Sequence, residues 1–311
     1  GFKYCELLQE PIAASIAYGI KANASSGYWL VFDFGGGTFD AAIMHVDDGI
    51  MRVVDTEGDN HLGGKNIDVA IVDRLLRLRW SPEQITERLK VEGLQSVSHE
   101  TIYRHIYQNK QEGGELYTFL RRRHKYRKRI HKYCSRKGWD TRRPISERPL
   151  VVDERSRIGD WEADTIIGRE RTGGILSLVE RKSRYCLLKK VPTKSAQTVA
   201  EAVCSSLMPV KDKVLTITSD NGIEFMRHQS IANTLDADFF FADPYSSWQR
   251  GTNENTNGLV RQYFPKKTDF TTLSDSDIQL VSNRLNNRPR KVLAFRTPNE
   301  VFNNYFVALI C

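Results

Sequence analysis

The sequence predicts an α/β protein with more than one domain, built around a mixed β-sheet with flanking helices. Three observations predict this. Strand-like and helix-like patterns alternate through residues 159–263. Two helix N-terminal signals follow one another in residues 81–108. Residues 28–59 alternate in strand fashion and predict a β-rich amino-terminal segment. A chain of 311 residues is long enough for two or three domains, each with its own core.

The β-rich segment contains two alternating stretches, 28–46 and 50–59, which predict a layer of hairpins. Within the first stretch, Gly35–Gly37 precede Thr38. Such a glycine turn can form a backbone nest around phosphate. It can equally be a tight turn between two strands, and the spacing by itself favours the turn.

Two short helices are predicted next. Ser81 is placed as the N-cap of the first helix, with Pro82 in its first turn and Gln84 completing a capping box. Ser98 is placed as the cap of a second helix over 99–108. The apolar inner faces are formed by Ile85, Leu89, Ile102 and Ile106. This spacing suits a helix-turn-helix, in which the second helix enters a major groove, and a generic helical hairpin suits it equally.

The charge balance favours a polyanionic partner. The net charge is +8, and residues 121–137 form a dense basic run with interleaved tyrosines. We expect this run to follow the DNA backbone, with salt-sensitive affinity, rather than to read bases. A solvated linker is the alternative. The candidate DNA-binding residues of the run are Arg121, Arg122, Arg123, Lys125, Arg127, Lys128 and Arg129.

Cysteine use and hydropathy predict a protein of the reducing cytoplasm without a membrane partner. The five cysteines are scattered and never spaced as CxxC, so a disulfide framework is not expected. His99, His105 and Cys134 lack the second cysteine that a zinc knot would need. No apolar run approaches the roughly 20 residues of a membrane helix. The opening residues show no signal region and no initiator methionine, which suggests a fragment or a processed product.

The carboxyl-terminal half predicts strands and helices in the order β-β-β-α-β-α-β-α. This order suits a mixed sheet with helices on its faces, as in ribonuclease-H-like domains. Strands are predicted at 161–168, 174–181, 184–191, 214–218 and 238–242, and helices at 195–208, 225–235 and 252–263.

Three separated acidic residues are the candidate catalytic and metal-binding groups of this half. Asp164 is predicted in the middle of a central strand, Asp220 just past the carboxyl end of the neighbouring strand, and Glu254 on a helix over that edge. Hard oxygen ligands with open water positions suit Mg²⁺ or Mn²⁺. Strand parity places Glu162 on the same face as Asp164, so geometry does not choose between these two acids.

The residues around these acids resemble the DDE transposases of the IS-thirty insertion-sequence family. The resemblance covers residues 80 to about 306 and includes GDWEADTIIG (159–168), SDNGIEF (219–225), QRGTNENTNGLVRQYFPK (249–266) and LNNRPRKVL (285–293). It implies that Asp164, Asp220 and Glu254 are a metal-binding triad for DNA cleavage and strand transfer. It also implies that SPEQI and VSHETIYRHIY belong to the helix-turn-helix that precedes the catalytic domain in this family.

Further roles follow from the same resemblance. Asn221, Asn253 and Asn257 are expected to orient carboxylates or phosphate, and Arg250 and Arg261 to contact DNA. For Trp248, contact with DNA and packing within the protein both remain open. The implied partners are double-stranded DNA, as element ends and target, and further copies of the chain in a homo-oligomer on DNA.

The first residues resemble a different family. EPIAASIAYG (10–19), FDFGGGTFD (32–40) and GDNHLGGKNID (58–68) are similar to the nucleotide-binding domain of DnaK-type heat-shock chaperones. That resemblance implies a partial actin-like fragment in which the glycine turn contacts nucleotide phosphates and Asp33 approaches the metal. The other loops that such a domain needs are missing here, so we expect no ATPase activity.

The expected organisation has four parts. They are a chaperone-like fragment (1–76), a helix-turn-helix (77–112), a basic DNA-binding linker (113–150) and a ribonuclease-H-like DDE catalytic domain with carboxyl-terminal helices (151–311). The expected protein is a transposase with polynucleotidyl transferase and endonuclease activity. We expect the loss of its end-recognition domain to impair this activity. The alternatives are a catalytically dead DNA-binding remnant and a chaperone-type ATP-binding protein.

Overall fold

The computed structural model describes residues 12–13, 16, 27–35, 38–47, 50–59, 64–94, 96–121, 141–169, 173–244 and 246–306. The chain divides into two compact units, Gly1–Arg77 and Leu78–Cys311. The finer division of the second unit into a helical pair, a linker and a catalytic domain stays a prediction. Most of the predicted basic run, including Arg122, Arg123, Lys125, Arg127, Lys128 and Arg129, lies outside the described residues.

The first unit contains an antiparallel three-stranded meander. Strands β1 (Gly27–Phe34), β2 (Phe39–Asp47) and β3 (Ile50–Asp59) pair in chain order, and helix α1 (Gly64–Arg77) follows. The predicted strands are therefore confirmed. The N–H of Gly35 donates to the carbonyl of Thr38 at 2.9 Å between the paired ends of β1 and β2. That hydrogen bond joins the ends of the two strands, and the choice between a tight turn and a phosphate nest stays open because Gly36 and Gly37 lie outside the described residues.

The second unit begins with the two predicted helices, α2 (Pro82–Val91) and α3 (His99–Gln111). Ser81 caps α2 in a complete capping box with Gln84, and Ser98 caps α3. Both caps are confirmed, as is the buried inner face, which consists of Ile85, Leu89, Ile102 and Ile106. A hydrogen bond of 2.7 Å from the Thr86 hydroxyl to the Val97 carbonyl fixes the turn between the helices.

A six-stranded mixed sheet forms the centre of the second unit. Its strands are β4 (Arg143–Pro144), β5 (Asp160–Ile167), β6 (Gly174–Glu180), β7 (Cys186–Val191), β8 (Thr216–Ser219) and β9 (Asp238–Phe241). The spatial order is β4-β9-β8-β5-β6-β7. Strands β5, β6 and β7 form an antiparallel meander, whereas β4, β9, β8 and β5 run parallel to one another. The predicted mixed α/β sheet is confirmed, and β5 lies inside it between β8 and β6.

Helices cover both faces of this sheet, so each face has its own hydrophobic core. After the short helix α4 (Val151–Glu154), helices α5 (Ala196–Leu207) and α6 (His228–Leu235) contribute to one core, together with inward residues such as Leu178. Helices α7 (Gly251–Tyr263) and α8 (Asp275–Asn286) contribute to the other, together with Val179. Leu178 and Val179 are successive residues of β6 that point to opposite faces, as the period of a strand requires.

The carboxyl-terminal segment binds the helical pair to the sheet domain. After α8 comes a last helix, α9 (Pro298–Asn303), whose Glu300 is fully buried. The Arg88 guanidinium of α2 is also fully buried and pairs with both Glu300 carboxylate oxygens, at 2.7 and 2.8 Å. Gln84 donates to the Pro289 carbonyl at 2.6 Å. Helix α2 is therefore part of the same compact unit as the sheet.

Two expectations from cysteine use and hydropathy bear on the described residues. Cys186 and Cys204 are both free thiols. Across the described ranges, no helix combines the length and the apolar character needed to cross a membrane.

Candidate active site

The structure places the three predicted acids where the sheet and its covering helix meet. Asp164 lies within β5, and Asp220 directly follows β8, the parallel neighbour of β5. Glu254 lies in the first turn of α7, which packs on β5 and β6. These placements follow from the topology, because the carboxyl ends of adjacent parallel strands share one edge of the sheet.

One guanidinium joins two of these acids. Arg250, just before α7, lies with Nη1 3.6 Å from an Asp164 oxygen and Nη2 3.4 Å from an Asp220 oxygen. Burial raises the pKa of the Asp164 carboxyl to about 6, and the Asp220 charge adds to the rise whereas Arg250 opposes it. The two carboxylates thus converge on one cationic group at the edge of the sheet.

Helix α7 brings further polar groups to the same place. The Asn257 side-chain amide donates to Asp164 at 2.9 Å, and Asn257 Oδ1 is buried without a hydrogen-bond partner among the described residues. Glu254 is exposed and lies four residues after Arg250 and three before Asn257. That spacing puts Glu254 on the same helix face as these two residues. The described residues contain no group of three or more acids, histidines and cysteines spaced to hold a metal ion as they stand.

The geometry separates Glu162 from Asp164, which strand parity left unresolved. Both side chains face α7, as parity requires. Glu162 is completely buried, pairs with Arg181 at 2.7 Å and accepts the Asn253 backbone N–H at 2.8 Å. Its carboxylate is thus committed to holding α7 on the sheet, whereas Asp164 faces Arg250 and Asp220.

The other predicted side chains have different surroundings. Asn253 is buried and binds Ser177 of β6, through the serine hydroxyl at 2.9 Å. Asn221 donates to the Ala242 carbonyl at 2.6 Å and accepts from Arg142. In these contacts Asn253 and Asn221 hold the backbone together, and Asn257 is the asparagine whose side chain binds one of the three acids.

Two predicted DNA-contacting residues and Trp248 also have defined positions. Arg261 donates to the Ile167 carbonyl at 2.7 Å and lies over the Phe270 ring, so part of its donor capacity serves the fold. Arg121 is exposed and donates to Asn255 of α7 at 3.1 Å. Trp248 is 73% exposed, which argues against packing within this chain.

A second carboxylate network lies on the other face of β5 and was not predicted. Glu224 accepts from Thr165 at 2.8 Å and pairs with Lys194 at 2.5 Å. Burial of Glu224 opposes its ionisation, but hydrogen bonds, chiefly from Lys194, outweigh burial and keep its pKa below the usual value. A Cβ on Gly222 would lie 2.5 Å from a Glu224 oxygen and 2.9 Å from an Asp220 oxygen, so a larger residue here would displace these two carboxylates. The word SDNGIEF could have indicated this network, but nothing local identifies Lys194 as the partner.

Comparison with known proteins identifies the family of this unit. The chain is 46% identical over 230 residues to the transposase of insertion element IS4351 from Bacteroides fragilis, covering 74% of this chain and 71% of that protein. The chain belongs to the IS30 family of insertion-sequence transposases. The transposase InsI of element IS30A from Escherichia coli is 38% identical over 237 residues, and the chain spans 62% of its length.

The amino-terminal part is related to a different family. The family model described as Hsp70 protein matches residues 1–103. A chaperone protein HscA homolog from Rickettsia prowazekii is 49% identical over 75 residues, which are 24% of this chain and 12% of the chaperone. The chain is thus chimeric, with an Hsp70-related beginning and an IS30-family transposase over most of its length.

Among solved structures, the catalytic core domain of BIV integrase is similar to part of this chain. The TM-score is 0.37 and the sequence identity 21%, over 48% of this chain and 95% of that domain.

Proposed function

We propose that this IS30-family chain catalyses metal-dependent cleavage and strand transfer of DNA, with Asp164, Asp220 and Glu254 as its metal-binding acids. The observation that carries the proposal is the convergence of Asp164 and Asp220 on the Arg250 guanidinium, at 3.6 and 3.4 Å. Two carboxylates from adjacent parallel strands that already share one cation are a suitable pair of ligands for a divalent ion. The antiparallel meander followed by parallel strands also supports assignment of the sheet to the ribonuclease-H-like fold.

The residues present fit Mg²⁺ or Mn²⁺. The available ligands are carboxylate and amide oxygens, which these hard ions prefer. Asn257 Oδ1 is a buried acceptor without a donor in the described structure, next to Asp164. Divalent ions held by such acids activate a water or a 3′-hydroxyl and stabilise the leaving oxygen of a phosphodiester.

The protein's own groups have separable tasks in this proposal. Asp164 and Asp220 supply oxygen ligands from the rigid sheet, and Glu254 supplies a third from the exposed start of α7. Asn257 orients the Asp164 carboxylate through its hydrogen bond of 2.9 Å. Arg250 neutralises the two aspartates in this state of the protein and, when it leaves them, is free to bind a DNA phosphate.

DNA is the proposed substrate and partner, as element ends and as target. Helices α2 and α3 have the spacing of a helix-turn-helix, and α3 exposes Tyr103, Arg104, Tyr107 and Gln108 on its outer side. Arg121, Arg250 and Arg261 lie at α7 and are the described candidates for backbone contacts. Arg104→Ala is expected to weaken duplex binding in a gel-shift assay, and unchanged binding would remove α3 from the proposed interface. We further propose that the chain acts as a homo-oligomer on DNA in the bacterial cytoplasm, at the nucleoid, and sedimentation with and without DNA tests the oligomer.

The deciding experiment is nicking of supercoiled plasmid bearing element ends, in Mg²⁺ or Mn²⁺, with Glu254→Gln as a matched control. We expect metal-dependent nicking in the parent chain and its loss in the variant, which keeps the size and hydrogen-bonding capacity of the side chain. DNA binding without nicking in the parent chain would instead identify a catalytically dead remnant.

A further inference from the structure

Four arginines gather around the carboxyl-terminal end of α7, and a fifth, Arg121, lies beside Asn255 and Gly258 of the same helix. Tyr263 is the last residue of α7, and the guanidinium groups of Arg79 and Arg284 lie over its ring at 4.8 and 5.9 Å. Arg288 and Arg290, from the LNNRPRKVL segment that the proposed chemistry does not use, are buried beside them, and the Arg121 charge acts on both. We call these five residues, Arg79, Arg121, Arg284, Arg288 and Arg290, the arginine cluster.

The acceptors for the three arginines from the end of α8 and the loop after it are all neutral. Arg288 donates to Gln84 Oε1 at 2.9 Å and to Gln262 Oε1 at 3.0 Å. Arg290 donates to the Leu285 carbonyl at 3.0 Å, and Arg284 contacts the Tyr263 ring. Within the described ranges none of these three forms an ion pair with a carboxylate. Their positive charge is therefore not cancelled locally.

This arrangement is costly unless a further group compensates it. A buried charge needs a partner of opposite sign or full hydrogen bonding. Burial, helped by the neighbouring Arg290 charge, lowers the pKa of Arg288 to about 9. Arg290 Nε and Gln262 Nε2 are also buried without an acceptor in the described part of the chain. Unused donors and uncancelled charge at one place favour an anionic oxygen ligand.

We propose that the arginine cluster is a binding site for backbone phosphate of the DNA on which the chain acts. Arg288 and Arg290 supply the buried positive potential, and the more accessible Arg79, Arg121 and Arg284 contact the phosphate oxygens. Arginine suits this task because its planar fork matches phosphate geometry and stays charged. The choice of DNA as the ligand rests on the proposed function, because the cluster would add a further DNA contact to the same unit.

The position of the cluster predicts which phosphate is bound. The axis of α7 rises about 13 Å between Glu254 and Tyr263. That distance corresponds to about four base pairs along a duplex. One rigid helix thus carries an acid of the active site near its start and the arginine cluster at its end. We expect the bound phosphate within about four base pairs of the cleaved bond, where it would fix the register of the duplex.

Arg284→Gln is the sharpest test, because Arg284 is half-buried and its described contact is with a ring. The matched control is Arg143→Gln, which removes the same charge from an exposed arginine already paired with Asp238 and Glu147. Anisotropy of a fluorescein-labelled duplex, measured over a series of salt concentrations, gives the affinity and its salt dependence. We expect Arg284→Gln to weaken binding about tenfold and to reduce the slope of log affinity against log salt by about one. Arg143→Gln should change the slope less.

Equal slopes for the two variants would overturn the site. Thermal unfolding of both variants without DNA excludes loss of folding as the cause. Inorganic phosphate alone is a further arm: if it raises the Tm of the parent chain while Arg284→Gln leaves DNA affinity intact, the cluster binds free anion and the DNA assignment is wrong. Nicking is followed in the same samples. If Glu254-dependent nicking is intact and Arg284→Gln does not change the slope of log affinity against log salt, this site is rejected and the proposed catalysis stands. If Arg284→Gln changes the slope but the parent chain does not nick, the proposed catalysis is rejected and this site stands.

Discussion

At the scale of single residues, the two acids of β5 illustrate how surroundings assign roles. Glu162 and Asp164 are two positions apart and face the same helix, yet their partners differ. Glu162 is paired with Arg181 and bound to the start of α7, whereas Asp164 is close to Asp220 and raised in pKa to about 6. Burial of a paired charge stabilises the fold as long as both partners remain, and a raised pKa marks a carboxylate whose ionised form needs a further cation.

Replacing each of these two acids by its amide is expected to change a different property: stability at Glu162 and nicking at Asp164. Glu162→Gln leaves the buried Arg181 with only the exposed Asp153, at 3.2 Å, as a carboxylate partner and should lower the free energy of unfolding by about 3 kcal/mol. Asp164→Asn should leave stability nearly unchanged, because ionisation of this half-buried carboxyl is already disfavoured, while abolishing nicking. Urea unfolding and plasmid nicking of both variants provide the comparison. Equal losses of stability would contradict the distinction.

Arg250 provides a prediction about the metal that does not require catalysis. Its guanidinium neutralises Asp164 and Asp220 and therefore competes with a divalent ion for the same oxygens. Arg250→Gln should lower the Tm of the metal-free protein, because two carboxylates then repel each other, and should enlarge the rise in Tm that Mn²⁺ produces. Arg157→Gln, whose arginine pairs with Asp160, is the control and should leave the Mn²⁺ effect unchanged. The idea fails if the Mn²⁺ effect is no larger in Arg250→Gln than in the parent chain.

At the scale of elements, helix α2 is anchored by a buried ion pair. Arg88 and Glu300 are both fully buried and joined by two hydrogen bonds, so the anchor links α2 to α9 over a long sequence separation. The Lys291–Glu83 pair on the surface adds little, because exposed ion pairs are screened by water. The position of α2 and of α3, which packs on it, therefore depends on one interaction far more than on the others.

Glu300→Gln is expected to release this anchor. Loss of one partner from an isolated buried pair costs about 3–5 kcal/mol, and the remaining contact of Arg88 with Glu92 at 2.6 Å should keep the loss at the lower end of that range. Hydrogen exchange should accelerate at the amides of 82–111 while the central strand β6 stays protected. The double replacement Arg88→Met with Glu300→Leu should recover only part of the loss, because Glu92 then loses its partner Arg88 and the Thr297 N–H loses its acceptor Glu300. Uniformly faster exchange over the whole unit would mean that the pair stabilises the sheet as well.

Helix ends show how much local sequence can predict. Ser81, Pro82 and Gln84 indicated the start of α2, and the structure has the complete capping box. The same kind of signal is present at Ser274 with Asp277 and at Thr297 with Glu300, which begin α8 and α9. These two helices were expected only as unspecified carboxyl-terminal helices. Their caps are local hydrogen bonds, so the sequence contained the information.

At the scale of the whole molecule, DNA binding and catalysis should depend on different residues, so that one can be lost without the other. The candidate DNA contacts are arginines spread over several elements, whereas the proposed metal ligands are three acids at one edge of the sheet. Removal of divalent ions with EDTA is therefore expected to abolish nicking and leave duplex affinity nearly unchanged at constant ionic strength. Gel shift and nicking on the same protein preparation check this. A loss of binding in EDTA would show that the metal also holds the DNA.

The end of the Hsp70-related sequence and the boundary between the two compact units lie at different residues. The Hsp70 match extends to residue 103, but the second compact unit already begins at Leu78. Contacts explain the difference: Gln84 and Arg88 of α2 bind Pro289 and Glu300 in the carboxyl-terminal segment. Residues 82–103 therefore belong physically with the transposase unit, although the match to the chaperone family covers them.

Local patterns were sufficient for strands β1–β3 and β5–β9, for helices α2, α3, α5, α6 and α7, for the caps of α2 and α3, and for the positions of Asp164, Asp220 and Glu254 along these elements. Each of these depends on hydrogen bonds or side-chain periodicity within a few residues. Only the tertiary structure decided which charged side chains pair with one another across the fold. The sequence did not show that Glu162 would be paired with Arg181, that Arg250 would bridge two aspartates, or that Arg288 and Arg290 would be buried without a carboxylate. Charge pairing depends on distances of a few ångströms between residues far apart in the chain, and these distances exist only once the sheet and its helices have packed.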